Sequence, residues 1–335
     1  MDLKHFQEIF NNEPSYRLKQ AQKGLFQDLI NSWKEATVFP LDLREKLDKE
    51  CPIAISAKKF TAQDQKTVKA LITLDDGLKI EAVLMKHADH RNTVCVSSQV
   101  GCALSCSFCA TGKLGFKRNL QVWEIVEQVL FFARYLKKAG ERVTNIVFMG
   151  MGEPFLNYDN VIGAIMILNA KDCYNLGARH FSISTVGVVE GIEKLSKEKL
   201  QINLAISLHA PDNQLRSKLM GINNKYPIED VLKSVSSYVK KTKRRVMLEY
   251  IMIKGVNDSE KHAHALAKLA RNPLYFVNLI TYNETGMFKP SVPAQIKMFK
   301  KILEQERVAV TQRYRFGENI KGACGQLALD DEIDS

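Results

Sequence analysis

The stretch Val94-Cys-Val-Ser-Ser-Gln-Val-Gly-Cys-Ala-Leu-Ser-Cys-Ser-Phe-Cys109 runs a short apolar segment directly into three cysteines, Cys102, Cys106 and Cys109. Their spacing is CxxxCxxC, and no fourth cysteine follows closely. A structural zinc site normally closes around four ligands, usually from two CxxC or CxxxH pairs, and no second pair is present. Three thiolates suit instead a [4Fe–4S] cluster in which one iron has no protein ligand. An iron left open in this way can take a small molecule through an amine and a carboxylate.

Outward from that segment the chain alternates between two periodicities. Strands are expected at 94–97, 145–149, 180–184, 202–207, 246–253 and 275–280, with helical patterns over 122–136, 161–168, 228–239 and 259–269 between them. Six β-α units imply parallel strands with helices outside. A closed eight-stranded barrel takes roughly 250 residues. Six units therefore predict an α/β fold of a shorter kind, a partial (β/α)6 TIM-like barrel over residues 92–329. Upstream, 1–66 reads as a helical accessory domain. Leu18, Ala21, Leu25, Leu29 and Trp33 share one face, a second helix opens after Pro40, and 61–66 is a polar linker. Residues 67–91 read as a β-hairpin turning at Asp76-Gly77, and 330–335 as an acidic tail.

In such a barrel the chemistry sits on loops after the C-terminal ends of the strands, and the motifs fall there. The cluster cysteines follow the first strand, Gly150-Met-Gly-Glu-Pro154 the second, Ser184 ends the third, Ser207-Leu208-His209 ends the fourth, and Asn283 lies past the sixth. Gly152 and Glu153 are placed to hold an amino group against the open iron, and Ser184, Ser207, Leu208, His209 and Asn283 to contact a carboxylate, a ribose or an adenine. His262 and His264 stand two apart on a helix, face different ways and receive no role. Cys51 and Cys173 lack companions. Cys324 differs, because Gly322, Ala323 and Gly325 around it permit close backbone approach. Cys95 sits seven residues before the cluster, and the hairpin brings Glu81 toward the same mouth.

The composition, 45% hydrophobic and 25% charged over 335 residues, is that of a chain with a sizeable core. No apolar leader or membrane-length stretch is present, which places the protein in the cytoplasm as an expected monomer with no membrane partner. The net charge of +11, with a dense run at Lys240, Lys241, Lys243, Arg244 and Arg245, points toward polyphosphate partners.

Two resemblances follow from these residues. The cysteine spacing is similar to that of the radical SAM superfamily, whose open iron binds S-adenosylmethionine. The whole chain resembles the RlmN/Cfr family of radical SAM RNA adenine methyltransferases, through Glu13-Pro-Ser-Tyr-Arg-Leu-Lys-Gln20, Cys95 to Cys102, Phe148 to Pro154, Ser182 to Thr185, Ala205 to Pro211, Gly255 to Asp258 and Ala323-Cys-Gly-Gln-Leu327.

The resemblance implies a chemistry. Adenine C2 is electron-poor and cannot attack a methyl cation donor, so a radical route is needed. Cys324 takes a methyl from one S-adenosylmethionine as a thiolate. A second S-adenosylmethionine, the other of two per turnover, accepts an electron at the cluster and yields a 5′-deoxyadenosyl radical. That radical takes hydrogen from the methyl on Cys324, and the carbon radical adds to the ring. Glu81 accepts the ring proton, and Cys95 attacks the sulfur of Cys324, forming a disulfide and releasing the product. The substrate implied is an adenosine of 23S rRNA in the peptidyl transferase centre, with tRNA anticodon loops as further substrates of C2 enzymes. RNA binding falls to the accessory domain, and an electron donor such as flavodoxin is implied.

Pro154 after Gly-Glu resembles the C2 enzymes; the alternative is C8 methylation of the same adenosine, the antibiotic-resistance outcome. Glu284 stands where these enzymes usually carry proline, and the following Thr-Gly-Met-Phe-Lys-Pro is atypical. A methylthiotransferase would need a second set of cluster cysteines. A non-enzymatic metal-binding RNA module, or a glycyl-radical activase, would leave Cys324 without a purpose.

Overall fold

The structure, a computed structural model, describes residues 1, 3–313 and 317–329. The acidic tail expected at 330–335 lies outside them. Twelve strands form among the described residues: β1 (Ser56–Thr61), β2 (Thr67–Thr73), β3 (Lys79–Lys86), β4 (Asn92–Val96), β5 (Gln99–Gly101), β6 (Phe116–Asn119), β7 (Asn145–Phe148), β8 (Phe181–Thr185), β9 (Asn203–Ser207), β10 (Val246–Met252), β11 (Tyr275–Thr281) and β12 (Val310–Gln312). Ten of them make one sheet in the order β1-β2-β3-β4-β7-β8-β9-β10-β11-β12. The pairs from β4 through β12 are parallel, and β1 to β4 pair antiparallel. The sheet keeps two edges, β1 and β12, so the barrel is partial and open, as its length predicts.

The six expected parallel strands are present, and β12 adds a seventh. Three partly polar residues at a sheet edge carry too little hydrophobic pattern to read in advance. The central strands behave differently. β10, Val-Met-Leu-Glu-Tyr-Ile-Met, is almost continuously apolar because helices cover one face and the barrel interior the other. Glu249 is its exception.

The hairpin turn lies where Asp76-Gly77 places it. Gly77 has φ +79° and donates to the Leu74 carbonyl at 2.9 Å, while Asp76 accepts the Leu78 N–H at 3.0 Å. Upstream, the helical reading needs three corrections. A helix at Leu3–Asn11 was not expected, the helix from Ser15 stops at Phe26, and 56–61 is a strand. β1 escapes a sequence reading because it is an edge strand with little buried surface, and so carries polar residues. The segment read as a linker is the turn joining it to β2. Phe6, Phe10, Trp33 and Phe39 form the aromatic centre of the accessory helices, with Phe6 and Phe10 ring centroids 4.7 Å apart. That centre is continuous with the barrel core.

Candidate active site

One cavity opens at the C-terminal ends of the parallel strands. It is lined by Cys102, Cys106 and Cys109, by Gly152, Glu153, Ser184, Ser207 and His209, and by Cys95 and Cys324. All seven cysteines of the chain are free thiols.

The cysteine loop is held at its root by a two-stranded ribbon, β5 against β6, in which Gly101 faces Phe116. The short helix Ala110–Lys113 follows Cys109. Burial pushes the Cys102 thiol up to about 11 and Cys106 higher still, and each is raised further by its neighbouring cysteines. Three mutually repelling thiols around one space are a donor set that a cationic iron cluster would stabilise as thiolates. No three such side chains among the described residues converge on a point as one bare ion requires. A cubane suits a wider spread, because each cysteine binds a different iron. The residues fit the cluster.

Across from them, Glu153 is fixed by two backbone donors, Phe155 N–H at 3.0 Å and Val186 N–H at 2.9 Å. Burial raises its carboxyl to about 7, against those hydrogen bonds. Gly152, at φ +96°, allows the turn, since a Cβ there would stand 2.5 Å from Gln99 Cβ. Gln99 in turn accepts the Glu153 N–H at 2.9 Å. His209, at φ +59°, accepts the Ile251 N–H on Nδ1 at 3.2 Å. That bond needs a neutral ring, and burial, then Arg216, depresses its pKa to about 3.

Other expected residues sit beside the cavity rather than in its lining. The Leu208 side chain is buried, and its carbonyl accepts from Arg216 Nε at 3.2 Å. Asn283 Nδ2 donates to the Cys324 carbonyl at 3.0 Å. Glu81 lies on the same face of β3 as Val83, which lines the cavity, but its carboxylate is engaged below. Lys69 Nζ stands 2.6 Å from Oε1, and Leu329 N–H donates to Oε2 at 3.1 Å.

The Cys324 segment reaches the cysteine loop by backbone contacts. Ala110 N–H donates to the Gly325 carbonyl at 2.8 Å, and Thr111 Oγ1 to the Leu327 carbonyl at 2.7 Å. Gln326 Nε2 donates to the Glu284 carbonyl at 3.3 Å, so the atypical Glu284 loop touches this segment directly. Desolvation by the groups packed around its sulfur lifts the Cys324 thiol to about 11, although the residue as a whole is exposed, and burial lifts the Cys95 thiol to about 12. In both cases the Arg313 guanidinium pulls the other way.

Arg313 and Glu249 were not singled out in the sequence. Glu249 accepts from Ser184 Oγ at 2.5 Å and Ser207 Oγ at 3.4 Å, and its Oε1 is 3.8 Å from Arg313 Nη1. A lone carboxylate inside an otherwise apolar parallel strand is the signal that could have found it. Arg313 follows a strand too short to recognise. Arg216 was missed too. Fully buried, it donates among the described residues to neutral oxygens alone, including the Val186 and Leu208 carbonyls, and ties the loops after β8 and β9 together.

Residues 96–267 match the sequence profile of the Radical SAM superfamily. The fold and the thiol-lined mouth thus define a radical SAM enzyme, a class that carries a [4Fe–4S] cluster and uses S-adenosylmethionine. The chain is 45% identical, over 94% of its length and 91% of the relative's, to a probable dual-specificity RNA methyltransferase RlmN of Dictyoglomus thermophilum. It is 44% identical, over 94% and 93%, to a ribosomal RNA large subunit methyltransferase N of Nitrosopumilus maritimus. A radical SAM methyltransferase from Sphaerobacter thermophilus has a crystal structure that superposes with a TM-score of 0.94, at 41% identity and 98% coverage of both chains. The chain belongs to the RlmN family of radical SAM methyltransferases. No helix among the described residues is long and apolar enough to cross a membrane.

Proposed function

We propose that this protein methylates C2 of an adenosine in 23S rRNA, and an adenosine in tRNA anticodon loops, using Cys324 as the methyl carrier. One observation carries the reading. Cys95 and Cys324, far apart in sequence and both reduced, line one cavity with the three cluster cysteines. A metal-binding module or an activase has no use for that pair.

Cys102, Cys106 and Cys109 hold the cluster, one thiolate each. When bound, the cluster and S-adenosylmethionine supply a radical able to take hydrogen from a thioether methyl. Glu153 and Gly152, with Ser184, Ser207, Leu208, His209 and Asn283 around them, orient S-adenosylmethionine in the cavity. Cys324 first attacks a methyl of S-adenosylmethionine as its thiolate, forming a C–S bond and releasing S-adenosylhomocysteine. Arg313 is the cation that favours that thiolate. Cys95 later attacks the Cys324 sulfur, so a Cys95–Cys324 disulfide forms as the bond from sulfur to the transferred carbon breaks; that carbon leaves with the electron pair and takes up the proton given up by the Cys95 thiol, which completes the methyl group. Glu81 takes the C2 proton, which requires its carboxylate to leave Lys69 and the Leu329 N–H for the cavity. A reduced flavodoxin-type donor supplies the electron, and a dithiol restores the pair.

The test is turnover by single variants. Cys324→Ala is expected to abolish methylation, and Cys95→Ala to accumulate a covalent protein–RNA adduct. Full turnover by either variant would defeat the assignment. Mass spectrometry of the modified RNA reads the position: 2-methyladenosine supports the proposal, and 8-methyladenosine replaces it with the resistance-type reaction.

A further inference from the structure

The basic run from Lys240 to Arg245 is nowhere near the mouth. It precedes β10, so it stands at the N-terminal end of the parallel strands, whereas Ser207 closes β9 and the cluster cysteines follow β4 at the other end. The seven-residue β10 alone separates the two ends by about 20 Å. Because the strands are parallel, every residue just ahead of one shares that far end. Those positions are basic in turn: Arg142 ahead of β7, Arg179 ahead of β8, Lys199 ahead of β9, Arg244 and Arg245 ahead of β10, and Arg271 ahead of β11. Arg244 is half-buried and the others are exposed.

These cations are held without neutralisation. Arg179 Nε donates to Gln201 Oε1 at 2.5 Å, and Arg244 Nη2 to Asn203 Oδ1 at 3.2 Å. Both partners are uncharged, and Arg179 and Arg244 repel each other. None of the six makes an ion pair among the described residues. Of the acids at this end, Glu141 pairs with Lys86 Nζ at 2.9 Å, Asp89 pairs with Arg91 ahead of β4 at 2.8 Å, Asp172 is exposed and Glu198 accepts the Tyr158 hydroxyl at 3.0 Å.

The arc continues to the C-terminal end of the helix Val122–Lys137, which leads into β7. A recess there is lined by Arg134, Tyr135, Lys138 and Lys59. Arg134 Nη1 donates to the Ile53 carbonyl at 3.2 Å, and the charges of Glu127 and Glu35 act on the guanidinium, but among the described residues its buried Nε and Nη2 have no hydrogen-bond partner. Two shielded guanidinium N–H groups without an acceptor are costly, and a phosphate's oxygens match their fork.

We propose that this far end of the sheet is a second RNA-contact surface, gripping backbone phosphates of a substrate segment remote from the adenosine in the mouth. The inference rests on RNA being the substrate. It makes binding depend on RNA large enough to reach around the barrel, with no base preference at this surface.

The test uses the cluster-loaded full-length chain and two RNAs. One is a folded large-subunit rRNA fragment containing the target adenosine, the other a short hairpin of its loop. The variants are R244E/R245E, K240E/K241E and R134Q. K240E/K241E guards against misfolding, because Arg245 packs 4.7 Å above the Phe276 ring whereas Lys240 and Lys241 are exposed. Each double variant is expected to bind the fragment roughly tenfold more weakly, and to flatten its log K against log salt slope by about 0.7 to 0.9 for each phosphate no longer neutralised, with hairpin affinity unchanged. R134Q is expected to weaken fragment binding alone, to a smaller extent. Unchanged fragment binding by all three variants overturns the proposal. Equal weakening toward both RNAs also overturns it, since that is long-range attraction rather than contact. Failure of the unmodified protein to bind either RNA would bring down the RNA reading and this inference together.

Discussion

The two ends of one parallel sheet are chemically opposite. At the C-terminal end, five thiols, two carboxylates and a neutral imidazole line one cavity, and desolvation pushes Cys95, Cys102, Cys106, Cys324 and Glu153 toward their uncharged forms. At the N-terminal end, Arg142, Arg179, Lys199, Arg245 and Arg271 stand in solvent and make no ion pair among the described residues. The first end suppresses charge so that a thiol or carboxyl ionises only when a partner arrives, which is how reactive groups are kept in check. The second displays charge that costs little in water and acts on large polyanions. The lesson is that a basic run in a sequence locates attraction, not chemistry.

The contrast can be broken most forcefully at the cysteines. Replacing Cys102, Cys106 and Cys109 together by alanine is expected to remove the brown iron–sulfur absorbance and reduce methylation to background. The K240E/K241E protein should keep both the absorbance and turnover of the short hairpin. Iron and sulfide retained by the triple variant would refute the cluster assignment.

Among the described residues Arg313 is the one cation that lines the mouth, so it sharpens the comparison. In the proposed reaction Cys324 attacks as its thiolate, so the rate of its methylation should rise about tenfold per pH unit between pH 7 and 9, because the surroundings hold the thiol up at about 11. Arg313→Gln removes the cation that opposes burial. The expected result is a further fall of about tenfold at any pH in that range, for each unit the thiol rises. Intact-protein mass spectrometry after incubation with S-adenosylmethionine measures it. Coincident profiles for the variant and the parent would remove Arg313 from the site.

The smallest effect concerns stability. His209 ionises near 3 when folded against 6.5 unfolded, so the native state binds fewer protons between those values and loses stability as pH drops below 6.5. From pH 7 to 5 that loss is about 2 kcal/mol. Glu153 acts in the opposite sense. Its folded value near 7 exceeds the unfolded 4.5, so its stabilising contribution fades as pH rises through that window. The test is therefore His209→Asn, which tolerates positive φ and leaves Glu153 in place. Denaturant unfolding of the metal-free variant should show greater stability at pH 5 relative to pH 7 than the parent does. An identical pH dependence would mean that His209 is not held neutral.

Much of this was legible in the chain. Six of the seven parallel strands announced themselves because buried parallel strands carry nearly unbroken apolar runs, as in β7 and β10. The cluster cysteines, Cys95 and Cys324 stood out because clustered thiols, or a thiol among small residues, are rare without a purpose. β1 and β12 did not, because edge strands are short or polar, and their pairing depends on a neighbour that sequence periodicity does not contain.

The sequence by itself determined the alternating β-α order, the hairpin at Asp76-Gly77 and the thiols available for chemistry, since each depends on local spacing and conformational preference. Tertiary structure alone decided that the Cys324 segment is pinned to the helix after Cys109, that Asn283 holds its carbonyl and that Arg313 and Glu249 share its cavity. It also decided that the Lys240–Arg245 run points away from all of these. Contacts between distant residues depend on strand direction and close packing, and only the folded sheet carries those.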